Sequence, residues 1–302
     1  MLSARIILNP KAGRGYGGRM EPKIRRLLDA LPLEYELIRT QAPLHAVELA
    51  AQAHEAGIDL VVAAGGDGTA HEVMSGLVQA AGDDVAGTMG VLPIGSGSDF
   101  AHNIGLPRDL EACCRRLVEG RRKRVDLGKI TLDGRDGGYF DNTLGIGFDA
   151  VVTKESQTVP YLRGIALYLP VILKTIFLSL RIPQLTIRWD GQELEMPALM
   201  VVVANGPREG GGFLVAPDAV PDDGMFDLCM VREISRPAML AMIPHFMRGT
   251  HVEREAVRMA RTKRVEFESE DPLVVHVDGE MLTTEGHRMI CEVVPERLEV
   301  IV

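Results

Sequence analysis

The first chemical signal in this chain is Gly65-Gly66-Asp67-Gly68-Thr69. It follows Leu60-Val61-Val62-Ala63-Ala64, an all-apolar run of the kind that forms a strand buried on both faces. The paired glycines let the chain turn tightly and let its backbone approach a ligand closely. Thr69 and Glu72 have the Ser/Thr-x-x-Glu spacing of a capping box, which predicts a helix start. Strand, glycine loop and helix N-terminus together present backbone N–H groups to an anion such as a phosphate. Asp67 stands in the middle of that loop. A carboxylate beside phosphates is repelled unless a metal bridges the two or the carboxylate takes a proton, so the combination points toward phosphoryl transfer. One glycine-rich turn is weak evidence, and this one matches neither the dinucleotide fingerprint nor the Walker loop.

Two further loops strengthen the signal. Residues 89–94 read as a strand, and Gly95-Ser96-Gly97-Ser98-Asp99 follows it, with Ser98 as the expected N-cap. Near the start, Arg5-Ile6-Ile7-Leu8 reads as a strand running into Asn9-Pro10-Lys11-Ala12-Gly13-Arg14-Gly15. Between these loops the pattern predicts a helix over 20–31, a strand over 34–39 ending at Thr40, and a helix over 46–56 closed by Gly57. The order β-α-β-α-β-α is that of a parallel sheet with helices on its faces. Ligands in such sheets sit at the carboxyl ends of the strands, where Asn9, Thr40 and the loop from Gly65 to Thr69 all fall.

From about residue 125 the texture changes. Strand-like runs at 125–132, 138–145, 185–189, 198–204, 225–231, 264–268, 273–278 and 289–294 alternate with Gly and Asp-Gly turns. This predicts a mainly antiparallel β-sandwich domain over 125–294, after an α/β domain over 1–124 to which a last strand, 295–302, returns. Helical stretches near 162–180 and 237–247 interrupt the strands.

Composition bounds the function. The 302 residues carry a net charge of −9, which disfavours nucleic acid as a partner. Cys113, Cys114, Cys229 and Cys291 show no zinc spacing and read as reduced thiols of a cytoplasmic protein. The first residues read as a strand rather than the apolar core of a signal peptide. The apolar segment 159–185 is interrupted by Arg163, Pro170, Lys174 and Arg181, so it falls short of the ~20 apolar residues of a membrane span. It reads as a buried or interfacial helix. Arg115, Arg116 and Arg121-Arg122-Lys123-Arg124 form a local basic cluster, read as a solvated helix end or as a contact for anionic headgroups.

Taken together, Asn9-Pro10-Lys11-Ala12-Gly13, Gly65-Gly66-Asp67-Gly68-Thr69 and Leu92-Pro93-Ile94-Gly95-Ser96-Gly97-Ser98-Asp99-Phe100-Ala101 resemble the nucleotide-binding motifs of the diacylglycerol kinase catalytic-domain family, which includes bacterial lipid kinases and sphingoid-base kinases. Phe140 through Ala150, Asn205, Gly210-Gly211-Gly212, Pro217 through Asp227 and Asp278-Gly279-Glu280 extend the resemblance over nearly the whole chain. Ser96 and Ser98 stand where the family usually has threonine and asparagine.

The resemblance implies an NAD-kinase-like α/β domain, a β-sandwich domain and a cleft between them. It implies ATP held by Asn9, Lys11, Thr40, Gly65, Gly66, Asp67, Gly68, Thr69 and Ser96. It implies Mg²⁺ at a turn where Asp223 gives its carboxylate and Val220 and Met225 give carbonyls. Glu280 matches the general base of bacterial members, while Asp67 matches the aspartate thought to be the base in some eukaryotic ones. By residue type alone, Asp278-Gly279-Glu280 reads equally as a hairpin turn with a solvated glutamate. The implied substrate is a lipid hydroxyl at a membrane surface, diacylglycerol-like or a long-chain alcohol, with the apolar insert over 161–180 as one wall of an acyl-chain pocket. A homodimer is compatible with this reading. Two alternatives stand beside it: a kinase of a soluble acceptor, as NAD kinase is, and a catalytically silent lipid-binding or regulatory protein.

Overall fold

The computed structural model describes residues 2–156, 165–178 and 180–302. The first part of the apolar insert, Tyr161 included, lies outside the described residues. In chain order the elements are β1 Leu2–Leu8, α1 Ala12–Asp29, β2 Leu33–Arg39, α2 His45–Glu55, β3 Leu60–Gly65, α3 Asp67–Ala81, β4 Thr88–Pro93, α4 Asp99–Asn103 and α5 Leu110–Glu119. Then come β5 Arg122–Leu132, β6 Arg135–Phe140, β7 Thr143–Gly147, α6 Phe148–Ser156, α7 Ile165–Leu178, β8 Gln184–Trp189, β9 Gln192–Ala204, β10 Arg208–Glu209, β11 Phe213–Leu214, β12 Phe226–Arg232, α8 Arg236–Arg248, β13 Val257–Thr262, β14 Arg264–Val277 and β15 Glu280–Ile301. They form two compact units, Met1–Asp126 with Pro295–Val302, and Leu127–Val294.

In the first unit the strands β2-β1-β3-β4 are parallel, and the end of β15 adds to β4 with Glu299 opposite Thr88. All six residues of β3 are buried, as a continuous apolar run in a doubly covered sheet must be. Ile6, Leu8, Val62, Ala64 and Leu92 pack with Ile24, Leu28 and Leu117 of the flanking helices. α2 and α3 approach closely because Gly76 has no side chain: a Cβ there would come within 2.2 Å of the Val47 carbonyl oxygen.

The second unit is antiparallel, in the order β13-β12-β9-β7-β14-β15, with β8 pairing β9 and β14. Phe140 stacks on Phe226 at 5.4 Å between ring centroids, among Leu144, Val203, Phe267 and Val275. A second apolar cluster joins Val171, Ile172 and Ile176 of α7 to Val202 of β9 and Met239 of α8.

Several local expectations are corrected. The first helix begins at Ala12, but Gly13, Arg14 and Gly15 are left-handed (φ 52°, 59° and 83°), so the regular helix starts after this kink. The expected strand over 138–145 is two strands, because the amides of Asp141, Asn142 and Thr143 turn to the carboxylate of Asp278. The runs 264–268 and 273–278 belong to one strand with a register shift between Glu268 and Leu273. The capping box at Thr69 and Glu72 does not form: Gly66 is the N-cap of α3, and the Glu72 carboxylate accepts the amide of Ala46 in the first turn of α2 at 3.2 Å. Among the described residues, no helix is long and apolar enough to cross a membrane. In the basic cluster, Arg115 pairs with Glu111 on α5, whereas Arg122 and Arg124 belong to β5 and pair with Glu299 and Glu296.

Two outcomes follow. Gly76→Ala is expected to lower unfolding stability by about 1–3 kcal/mol, through overpacking against a backbone carbonyl. A urea titration measures this, and an unchanged midpoint would contradict the packing. His251 is fully buried, stacked on Phe246 with its Nε2 3.1 Å from the Val215 carbonyl, and burial lowers its pKa. Its neutral form therefore stabilises the fold fully above about pH 6.5, and this contribution is lost as pH falls from there toward the lower folded pKa. In His251→Phe that part of the pH dependence of stability should disappear.

Candidate functional site

At the carboxyl end of the parallel sheet, register alone brings the loops together. Leu8 lies opposite both Arg39 and Ala64, and Gly65 lies opposite Pro93. The residues that follow, Asn9, Thr40, Gly66 to Thr69 and Gly95 to Ser98, therefore emerge side by side. The Thr40 amide donates to the Leu8 carbonyl at 2.8 Å, and the Asn9 amide donates to Ala64 at 3.0 Å. Asn9 spans two loops: its Nδ2 donates to Thr69 Oγ1 at 3.0 Å, and its Oδ1 accepts the Lys11 amide at 3.0 Å. Thr69 is buried by this contact, whereas Lys11 is exposed.

The two glycine loops are laced to each other. Ile94 donates its amide to the Gly65 carbonyl at 2.9 Å. A Cβ at Gly95 would lie 2.2 Å from Gly66 Cα, so this approach requires glycine. Asp67 closes the join: Oδ2 accepts the Ser98 amide at 2.7 Å and Oδ1 accepts the Phe100 amide at 3.0 Å. Ser98 is left-handed (φ 57°) and its side chain makes no capping bond, so the expected N-cap role passes to Asp67 from across the loop. Ser96 sits half-buried in this second loop.

In the second unit, Asp278 does for one hairpin what Asp67 does for the loops. Its carboxylate accepts the amides of Asp141, Asn142 and Thr143 at 3.0, 3.0 and 2.9 Å. Asn205 adds to the same knot, donating Nδ2 to the Asp141 carbonyl at 2.8 Å. Asp278 and Gly279 have φ 49° and 83°, the two positive values of a two-residue hairpin turn. Val277 pairs with Glu280, which opens β15 with its side chain exposed. The hairpin reading of Asp-Gly is therefore correct, and it presents Glu280 on a rigid corner.

The turn expected to hold magnesium is engaged otherwise. Asp223 Oδ1 accepts the Met225 amide at 3.0 Å, and Oδ2 pairs with the Arg261 guanidinium. Val220 is exposed. Arg261 also lies 3.5 Å from Asp227, whose carboxyl burial pushes above the usual carboxylate range. The one carboxylate assigned to the ion is thus shared with a guanidinium in this structure.

A cluster that sequence reasoning passed over lies beside the Asp278 knot: Asp149, Glu209 and His276. Only the placement of a histidine inside the apolar run Val274-Val275-His276-Val277 hints at it.

Comparison with known proteins identifies the relatives. Residues 3–130 match the diacylglycerol kinase catalytic domain, and residues 142–302 match the YegS C-terminal NAD kinase beta sandwich-like domain. A Chromohalobacter salexigens protein named "Probable lipid kinase YegS-like" is 34% identical over 80% of this chain and 76% of its own. The diacylglycerol kinase of Bacillus subtilis is 29% identical over 93% of this chain and 90% of its own. A crystal structure of a Bacillus anthracis diacylglycerol kinase superposes with TM-score 0.74 at 23% identity, covering 99% of this chain and 96% of that one; it shares the fold.

The clamp is open to a direct check. Asp67→Ala removes the acceptor of two amides and should cost about 1–3 kcal/mol of stability. Hydrogen exchange at Ser98 and Phe100 should accelerate while the β1–β3 amides stay protected. Unaltered exchange at both positions would mean that Asp67 does not hold the loop.

Proposed function

Because this chain belongs to the diacylglycerol kinase family of lipid kinases, we propose that it transfers the γ-phosphoryl group of ATP to the hydroxyl of a diacylglycerol-like or long-chain-alcohol lipid, with Glu280 as general base. The observation that supports this division of labour is the different use of the two candidate carboxylates. Both oxygens of Asp67 receive loop amides, so this carboxylate is engaged in shaping the loops. Glu280 stands exposed on a turn that three amide bonds to Asp278 hold rigid.

Phosphoryl transfer asks for positioning and charge stabilisation more than for covalent help. The N–H groups at the start of α3 and the loop from Gly95 to Ser98 would receive phosphate oxygens, with Asn9, Lys11, Thr40, Thr69 and Ser96 around them. ATP would supply the phosphoryl group, and Mg²⁺ arriving with it would neutralise phosphate charge. Glu280 takes the proton of the lipid hydroxyl as its oxygen bonds to phosphorus and the bond to the ADP oxygen breaks.

The acceptor would reach the enzyme from a membrane surface. Leu169, Leu173 and Phe177 recur every fourth residue of α7 and are 39%, 39% and 55% exposed. This stripe is suited to acyl chains or the bilayer interface. Ile172, on the other side, belongs to the core and is only 8% exposed. Substitutions at Leu169 and Ile172 would therefore test different things.

Labelled ATP, Mg²⁺ and a panel of diacylglycerols, long-chain alcohols, sugars and NAD test the proposal. Label is expected in a lipid. Glu280→Ala should lose about 10²–10⁴-fold in kcat, the usual worth of a general base. Label confined to a soluble acceptor, or to none, would overturn the lipid assignment, and a Glu280→Ala rate equal to the parent's would overturn the role of Glu280. Leu173→Glu with Phe177→Glu should reduce turnover of lipid presented in vesicles while sparing a dispersed short-chain analogue.

A further inference from the structure

The cluster of Asp149, Glu209 and His276 has no part in the mechanism above. His276 lies on β14 opposite Gly145 of β7, Asp149 is the second residue of α6, and Glu209 ends β10. The three side chains are 3%, 7% and 16% exposed. His276 Nε2 is 3.3 Å from Asp149 Oδ2 and 4.0 Å from Glu209 Oε2, and the three atoms lie within 4.8 Å of one another.

Both separations exceed the usual 2.7–3.2 Å of an N–H···O bond. The shorter one suits two ligand atoms sharing one ion at about 2.0–2.2 Å, which at near-tetrahedral angles stand roughly 3.0–3.6 Å apart. The longer one closes with a shift of about half an ångström in a glutamate side chain. The Asp149 carboxylate is already oriented, because its Oδ1 accepts the Ala150 amide at 2.8 Å and leaves Oδ2 toward the imidazole. Gly145 makes the room: a Cβ there would lie 1.8 Å from Asp149 Oδ2 and 2.3 Å from His276 Nε2.

We infer that Asp149, Glu209 and His276 form a binding site for one first-row divalent cation, of the Mn²⁺ or Zn²⁺ class. Two carboxylates sharing a poorly hydrated pocket repel each other, and a divalent cation removes that cost. One imidazole with two carboxylates is a ligand set that Mn²⁺ and Zn²⁺ accept, with water in the remaining positions. His276 Nδ1 is buried with no hydrogen-bond partner among the described residues. A ligating histidine usually donates that second N–H, and lack of the support costs about 10–100-fold in affinity. The site is accordingly of moderate strength, filled or emptied by metal supply.

The test uses the full-length, tag-free, chelator-treated protein and no nucleotide or lipid, so its outcome is separate from that of the kinase reading. Mn²⁺ is the cleaner probe, because it ignores thiols. Titration followed by calorimetry and by the loss of the free Mn²⁺ EPR signal should give one equivalent bound. His276→Ala and Glu209→Gln should each weaken binding at least about 10-fold, the range seen for lost ligand support. Circular dichroism of His276→Gln guards against misfolding, and in the parent Zn²⁺ should shift the His276 ring resonances. No binding would overturn the site. So would binding equal in the parent and both cluster variants, or His276 resonances that titrate with pH but ignore metal, the behaviour of a plain imidazolium–carboxylate pair.

Discussion

The two glycine loops of the first unit keep their shape through one carboxylate. Asp67 receives the amides of Ser98 and Phe100, whose N–H groups would otherwise have no helical acceptor at the start of the short α4. Charge-assisted bonds of this kind are about twice as strong as neutral ones. The loops can then lie in contact at Gly66 and Gly95, where any side chain would push them apart. The phosphate cradle proposed above would depend on that spacing. The carboxylate that looks out of place in a glycine loop accepts two backbone N–H groups.

The second unit repeats the device. Asp278 gathers three successive amides from the break between β6 and β7, and the price is a strand interrupted at Asp141 and Asn142. What results is a hairpin corner at which β15 opens with an exposed glutamate.

The same logic distinguishes the faces of α7. Val171, Ile172, Thr175 and Ile176 are buried, while Leu169, Leu173 and Phe177 face outward. A helix apolar on both faces carries more hydrophobic surface than its own core needs. On the proposed reading, that excess is the surface that would meet a lipid acceptor.

How much of this could be read from the chain alone follows from the range of each interaction. Buried strands, glycine turns and helix ends are encoded within a few residues, so β3, α2 and the Asp-Gly hairpin appear where the sequence places them. The parallel sheet and its ligand-facing edge follow from the order of those elements, and the motif order identified the family. The destinations of polar side chains are of another kind. Asp67 reaches Ser98 across 31 residues, Asp278 reaches Asp141 across 137, and His276 meets Asp149 across 127. Glu72 serves another helix, and Asp223 is taken by Arg261. A carboxylate bonds whatever donor the folded chain brings within 3 Å or so, and chain spacing carries no record of that distance. The sequence by itself determined the elements, their order and the family. The tertiary structure alone decided which acidic groups were spent on holding backbone, which stayed exposed, and which were gathered around a buried histidine.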